Sequence, residues 1–296
     1  MKVIVRDFDV LKSLEPQQIA TYLQGRNWNS NGNLGNKAHV YHQINDDKSE
    51  ILLPLKPEFR DFPLLMSQLL ETLEKVEGRS QLEILRDIHN VSADVIRLRV
   101  NSPLAANGSI PLNNALEILQ GLNNLILSAA SSTINPQLNF EKPFPEALEY
   151  LTKLRLGQTE ENNGYIFTVV SQLPEENTAL NGEKVNVVTT PFERRVVLKL
   201  VEALATINAL AEAEKWEDFL GKEPQGISAN LCDAIVALNE SVGGEGIEIN
   251  LSWSGLISVP PETRDRLILP PKIMPVLRQV AENFPKQLTT ERSMQN

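Results

Sequence analysis

The chain has 296 residues, a formal net charge of −10 and a pI of about 5.0. Apolar residues make up 42% of it, which is enough for a hydrophobic core. The acidic balance disfavours nucleic acid as a partner, and the apolar runs carry polar residues at helical intervals, so a membrane is not expected either. A single cysteine excludes an intrachain disulfide, which suits a cytoplasmic protein.

Apolar spacing predicts helices, and period-two alternation predicts strands, along most of the chain. Two helix starts carry capping-box spacing, Ser80 with Glu83 and Thr190 with Glu193. In chain order the predicted elements are a helix at 16–24, strands at 39–44 and 50–55, helices at 61–77 and 80–88, strands at 94–100 and 109–111, helices at 112–131 and 145–153, strands at 165–172 and 186–190, helices at 191–214 and 228–240, strands at 247–253 and 266–269, and a helix at 272–284. They predict an α+β fold in which antiparallel sheets carry helices on one face.

The order helix, strand, strand, helix recurs four times. A proline lies near each junction between a second strand and its following helix: Pro54, Pro111, Pro191 and Pro270. We interpret the pattern as four α-β-β-α pseudo-repeats, two in an N-terminal lobe (1–131) and two in a C-terminal lobe (145–285), with a flexible tail at 286–296. Because α+β proteins also alternate this way by chance, a true repeat and a chance alternation both stay open.

The segment from Arg155 to Glu160 is the first candidate for a binding site. It brings Arg155, Gln158, Thr159 and Glu160 together between apolar flanks, as a ligand-binding loop would. Asn163-Gly164 is a strong turn dipeptide, so a plain hairpin is the alternative, and we favour it.

Two further arginine groups are candidates for binding an acidic partner. Arg97 and Arg99 share one face of a predicted strand, opposite Ile96 and Leu98. Arg194 lies at the start of a helix. Pairing with the chain's own carboxylates is the competing explanation for all three.

The sequence offers few candidate residues for a nucleophile or a metal site. Cys232 lies near a helix start, which lowers a thiol pKa, but Asp233 beside it opposes that effect, and we predict a buried core residue. His39 and His42 are three apart on a predicted strand and point to opposite faces, so we predict no metal site. We also predict no catalytic residue and no cofactor.

Several runs are distinctive: RLGQTEENNGYIFTVVSQLP at 155–174, PFERRV at 191–196 and SANLCDAIVAL at 228–238. With LEPQQIATYL at 14–23, they resemble an uncharacterised family of bacterial conserved hypothetical proteins. The resemblance implies a bacterial, cytoplasmic protein. It supplies no activity and no catalytic residue.

Three functions follow as hypotheses. The leading one is a non-enzymatic interaction or scaffold protein that binds another protein through a sheet surface. The second is an enzyme or small-ligand-binding protein with its site around Arg155 to Glu160, joined in space by Arg194 and Cys232. The third is a component of a regulatory or anti-phage operon.

Overall fold

The computed structural model describes residues 4–44, 46–157, 165–174, 190–212 and 226–283. It contains helices and antiparallel sheets that pack against each other, which confirms the α+β class. The chain forms two compact units. The first comprises Met1–Ala93 with Trp253–Ser258, and the second comprises Asp94–Ser252 with Val259–Asn296.

The first unit is built around a three-stranded antiparallel sheet with the strand order β1-β2-β3. Its elements are α1 (Phe8–Lys12), α2 (Pro16–Gly25), β1 (Trp28–Leu34), β2 (Ala38–Gln43), β3 (Asp46–Pro54), α3 (Phe62–Glu77) and α4 (Gln81–His89). The strands predicted at 39–44 and 50–55 are present and pair with each other as β2 and β3, and the predicted capping box of α4 is confirmed. Ser80 Oγ accepts from the backbone N–H of Glu83 at 3.3 Å, and the Glu83 carboxylate accepts from that of Ser80 at 2.9 Å.

The second segment of this unit, Trp253–Ser258, returns from far along the chain. Ser254 Oγ donates a buried hydrogen bond to the backbone carbonyl of Val91 at 2.7 Å, across a separation of 163 residues. The first unit is therefore completed by residues that come after most of the second unit in the sequence.

The second unit carries a five-stranded sheet with the order β5-β6-β4-β7-β8. Its elements are β4 (Ala93–Val100), a 3₁₀ helix (Pro103–Gly108), α5 (Leu112–Ile134), α6 (Pro145–Lys153), β5 (Arg155–Leu156), β6 (Tyr165–Gln172), α7 (Phe192–Glu212), α8 (Ala229–Ser241), β7 (Ile247–Ser252), β8 (Arg266–Leu269), a 3₁₀ turn (Pro271–Ile273) and α9 (Met274–Asn283). The pairs β5–β6, β4–β7 and β7–β8 are antiparallel. Along β7 and β8, buried and exposed positions alternate, so one face of these strands is covered and the other is open.

The pseudo-repeat is not confirmed. The first and fourth predicted units keep two strands between two helices, but β1 adds a third strand to the first. The strand predicted at 109–111 is wrong: these residues have no regular secondary structure and link the 3₁₀ helix, Pro103–Gly108, to α5, which Pro111 directly precedes. A proline has no N–H for ladder pairing, which disfavours so short a strand. The strand predicted at 186–190 falls, up to residue 189, outside the described residues.

The observed units divide the chain differently from the predicted lobes. β4 was assigned to the N-terminal lobe, and β7 to the C-terminal lobe. In the structure they pair along the sheet, from Val95 opposite Ser252 to Arg99 opposite Glu248. The sequence of neither strand indicates which distant strand it pairs with. The tail predicted at 286–296 lies outside the described residues.

Candidate functional site

The open face of β4, β7 and β8 carries the candidate site. On β4, Ile96, Leu98 and Val100 are buried on the covered side, while Arg97 and Arg99 alternate with them and are only half-buried. We call the outward side chains of the three strands the arginine face; they are Arg97, Arg99, Glu248, Asn250, Ser252, Arg266 and Ile268.

Strand register arranges these side chains in two rows across the sheet. In one row Asn250 stands between Arg97 on β4 and Arg266 on β8. In the next row Glu248 stands between Arg99 and Ile268. Adjacent strands lie about 4.8 Å apart, so the outer members of each row start roughly 10 Å from each other. The face is therefore a short ladder with cationic residues on both flanks.

The arginine side chains contact Ser252 and Glu248 on the same face, and they remain partly exposed. A guanidinium nitrogen of Arg97 donates to Ser252 Oγ at 2.6 Å. The Nε atoms of Arg266 and Arg99 lie 3.2 Å and 3.8 Å from Glu248 Oε1. The side chains of Arg266 and Arg99 are 60% and 30% exposed, so solvent reaches both.

Glu248 is the one carboxylate among these outward side chains of the described strands. Besides the two arginines, Asn250 Nδ2 donates to its Oε1 and Asn101 Nδ2 donates to its Oε2, each at 3.2 Å. Burial by itself would raise the pKa of Glu248, but the hydrogen bond from Asn250 and the charges of Arg266 and Arg99 outweigh it and lower the pKa. Glu248 is therefore ionised at neutral pH.

Three guanidinium groups and one carboxylate give the arginine face a local charge of +2 within a chain of −10. This local reversal of sign makes the face a candidate for binding anions. Sequence reasoning named Arg97 and Arg99 but missed Arg266 and Glu248. Their period-two positions were visible in the sequence, but which strands are neighbours was not.

Arg194 does not belong to this face. Its side chain is fully buried in the second unit, where Nε lies 2.9 Å from Oδ2 of the equally buried Asp94. Burial lowers the pKa of Arg194, and the charge of Asp94 opposes that shift. In the same unit, the Tyr150 hydroxyl and Ser171 Oγ share a buried hydrogen bond of 2.8 Å. As placed, Arg194 offers no guanidinium to a ligand arriving from solvent.

The segment around Arg155 is only partly described. Arg155 is exposed on β5, where it pairs with Val170 of β6. Gln158, Thr159 and Glu160 lie outside the described residues, as does the turn dipeptide Asn163-Gly164. The antiparallel pairing of β5 and β6 is the arrangement that two arms of a hairpin adopt.

Cys232 is buried in α8 with none of its surface exposed. Burial, and after it the charge of Asp233, raises the pKa of the thiol to about 12. These features fit the predicted core residue and argue against a thiolate nucleophile at neutral pH.

The histidines of β2, His39 and His42, each lie near a polar side chain of a neighbouring strand. His39 Nδ1 lies 2.5 Å from Asn33 Oδ1, and His42 Nε2 lies 4.0 Å from Glu50 Oε2 on the other face of the sheet. Across the described ranges, no group of three or more His, Cys, Asp or Glu side chains is arranged to hold a metal ion. Among the helices that the structure describes, none is both long and apolar enough to cross a membrane.

Three comparisons with known proteins complete the description of the site. The chain matches no protein-family model, no curated protein and no solved structure.

Proposed function

We propose that the protein is a non-enzymatic interaction protein that binds an acidic segment of another protein on its arginine face. The observation that carries the proposal is the charge reversal of this face. Arginine suits the role because its planar guanidinium pairs with carboxylates in two-point contacts. Following the resemblance noted in the sequence, we place this function in the bacterial cytoplasm.

Charge density favours a protein partner over nucleic acid. Affinity for a phosphate backbone depends on several Lys or Arg side chains that each neutralise a phosphate. On the arginine face Glu248 opposes two of the three arginines, at 3.2 Å and 3.8 Å. An acidic polypeptide carries its charges separately, with neutral residues between them, and so meets less repulsion from Glu248.

A photocrosslink tests where the partner lies. Ile268 is 47% exposed on the arginine face, and Leu148 on α6 is 46% exposed elsewhere in the second unit. Each is replaced separately by p-benzoyl-phenylalanine, and the protein is irradiated in a lysate of its host. We expect position 268 to capture a protein through a segment rich in Asp and Glu, identified by mass spectrometry, and position 148 not to capture it.

Charge reversal tests whether the arginines carry the binding. Arg97→Glu/Arg99→Glu should abolish capture at position 268. Because Arg99→Glu places a second carboxylate opposite Glu248, thermal unfolding must show that the variant is still folded at the temperature of the experiment. The matched control is Arg195→Glu/Arg264→Glu, which makes the same change in net charge at two exposed positions of the second unit. Capture that survives in the first variant, or a captured nucleic acid, overturns the proposal.

A further inference from the structure

Glu248 occupies a position that resembles an anion-binding site more than a simple surface ion pair. Its side chain is 16% exposed, and its carboxylate is approached by four side chains: one from β4, one from the residue that follows β4, one from β7 and one from β8. Three of the four converge on Oε1: Asn250 and Arg266 at 3.2 Å, and Arg99 at 3.8 Å. A carboxylate is stabilised by such convergent donors as a bound oxyanion would be.

We propose that Glu248 is the specificity-determining residue of the arginine face, because it fills this anion site from within the chain. With the site occupied, small oxyanions and phosphate backbones meet a fixed negative charge at the centre of the face. Ligands with separated carboxylates can still reach the outer guanidinium groups. The inference rests on the proposed function, since it assigns the selectivity of the same face.

Three of the donors around Glu248 are supplied by the paired strands β4, β7 and β8. Arg99 and Arg266 approach Glu248 from the two strands that flank β7, and Asn250 lies two residues from it on β7 itself. Strand pairing fixes the backbone positions of all three donors, so they do not depend on Glu248 for their placement along the sheet. When the carboxylate is removed, the donors should therefore stay close together and leave a partly formed anion site.

The test uses inorganic phosphate as the probe. In Glu248→Ala, the four donors face the space that the carboxylate filled, and we expect phosphate to bind and to raise the melting temperature in a saturable way. The wild type and the matched control Glu262→Ala, an exposed carboxylate in the β7–β8 connection, should show no such binding. A folded Glu248→Ala that does not bind phosphate overturns the inference.

Two further variants test whether phosphate binds at this site, and one of them keeps the shape of the Glu248 side chain in case Glu248→Ala does not fold. Adding Arg266→Ala to Glu248→Ala should abolish the phosphate binding, which assigns it to this site. Glu248→Gln keeps the side-chain shape and raises the local charge from +2 to +3. It should bind single-stranded oligodeoxythymidine at low salt about threefold or more tightly than the wild type, as expected for one charge at several ångströms in water. Unchanged oligonucleotide affinity in Glu248→Gln also overturns the inference.

These results are separable from those for the proposed function. Phosphate and oligonucleotide report on Glu248 alone, whereas capture at position 268 reports on the partner. If Glu248→Ala binds phosphate while Arg97→Glu/Arg99→Glu keeps its partner, the anion site is real and the proposed function is wrong. If Arg97→Glu/Arg99→Glu loses the partner while Glu248→Ala does not bind phosphate, the proposed function stands and the role of Glu248 is wrong.

Discussion

Arg194 and Asp94 form an ion pair in the interior of the second unit, with 2.9 Å between Nε and Oδ2 and no exposure of either side chain. Asp94 lies on the covered side of β4, and Arg194 reaches it from the first turn of α7. The pair therefore joins the central strand of the sheet to a long helix by charge.

Loss of one partner of this pair should destabilise the fold strongly. Arg194→Met leaves the Asp94 carboxylate buried with its countercharge removed, and we expect a cost of about 3–5 kcal/mol in the free energy of unfolding. Arg195→Met, at the exposed neighbouring position, is the control. It removes a cation–π contact with the Phe192 ring and should lower the free energy of unfolding by no more than about 1 kcal/mol. Urea denaturation measures both. In Arg194→Met/Asp94→Leu, most of the loss should be recovered, because no uncompensated charge stays buried.

The thiol of Cys232 should be inert in the native protein. With its pKa raised to about 12, the thiolate is scarce at pH 8, and burial blocks access as well. A bulky maleimide should label it only after unfolding, and Cys232→Ala should cost on the order of 1 kcal/mol. Rapid labelling of the folded protein would contradict the assignment to the core.

The α4 capping box should make part of the stability depend on pH. The backbone N–H of Ser80, and then its hydroxyl, lower the pKa of Glu83 below its ordinary value of 4.5. A lowered pKa in the folded state contributes stability that is fully present above the unfolded value and is lost as the pH falls through the folded value. Glu83→Gln should therefore be less stable than the wild type at pH 7, and the difference should vanish in acid.

Thermal unfolding over a pH series measures this difference. Ser80→Ala should cost about 1 kcal/mol at neutral pH through loss of the cap. Glu262→Gln, an exposed substitution away from any capping box, is the control and should leave the melting temperature unchanged. A Glu83→Gln deficit that persists in acid would show that the side chain acts by packing instead.

Two neighbouring glycines before β7 should respond differently to alanine. Gly244 and Gly246 both have a positive φ, 80° and 97°, so each substitution carries a backbone cost of about 1–2 kcal/mol. A Cβ on Gly244 meets nothing within 4 Å, whereas one on Gly246 would lie 2.7 Å from the carbonyl oxygen of Leu269 in β8. Gly246→Ala should cost about 1–3 kcal/mol more than Gly244→Ala, because the backbone of β8 must move. Equal effects in urea denaturation would contradict this view of the contact.

Much of the fold was predictable because its elements are locally periodic. The alternation of Ile247, Ile249 and Leu251 predicts β7, and the capping box predicts the start of α4. β1 was missed because WNSNGNL has no apolar alternation: only Trp28 is buried, and pairing with β2 holds the rest. Its strand conformation is a property of the sheet, so no local pattern could have predicted it.

The candidate site was predictable only in part, for the same physical reason. Arg97 and Arg99 were recognised as sharing a strand face, which needs only the period of two. That Glu248 and Arg266 join them depends on the order of the strands, and the bond from Asn101 to Glu248 spans 147 residues. Arg194 was named as a candidate for binding an acidic partner, with pairing to the chain's own carboxylates as the alternative. Its partner Asp94 is 100 positions away, so the sequence could not identify the pair.

The return of Trp253–Ser258 to the first unit has a consequence for synthesis on the ribosome. When residue 93 emerges, the strands and helices of the first unit have been made, but the hydroxyl of Ser254, which donates to the Val91 carbonyl, lies 163 positions beyond Val91 and has not. The central pair β4–β7 waits for the same stretch of chain. Contacts of such long range slow folding and leave strand edges open in the nascent protein. A truncated chain that ends near residue 250 should thus depend on chaperones far more than the full-length protein does.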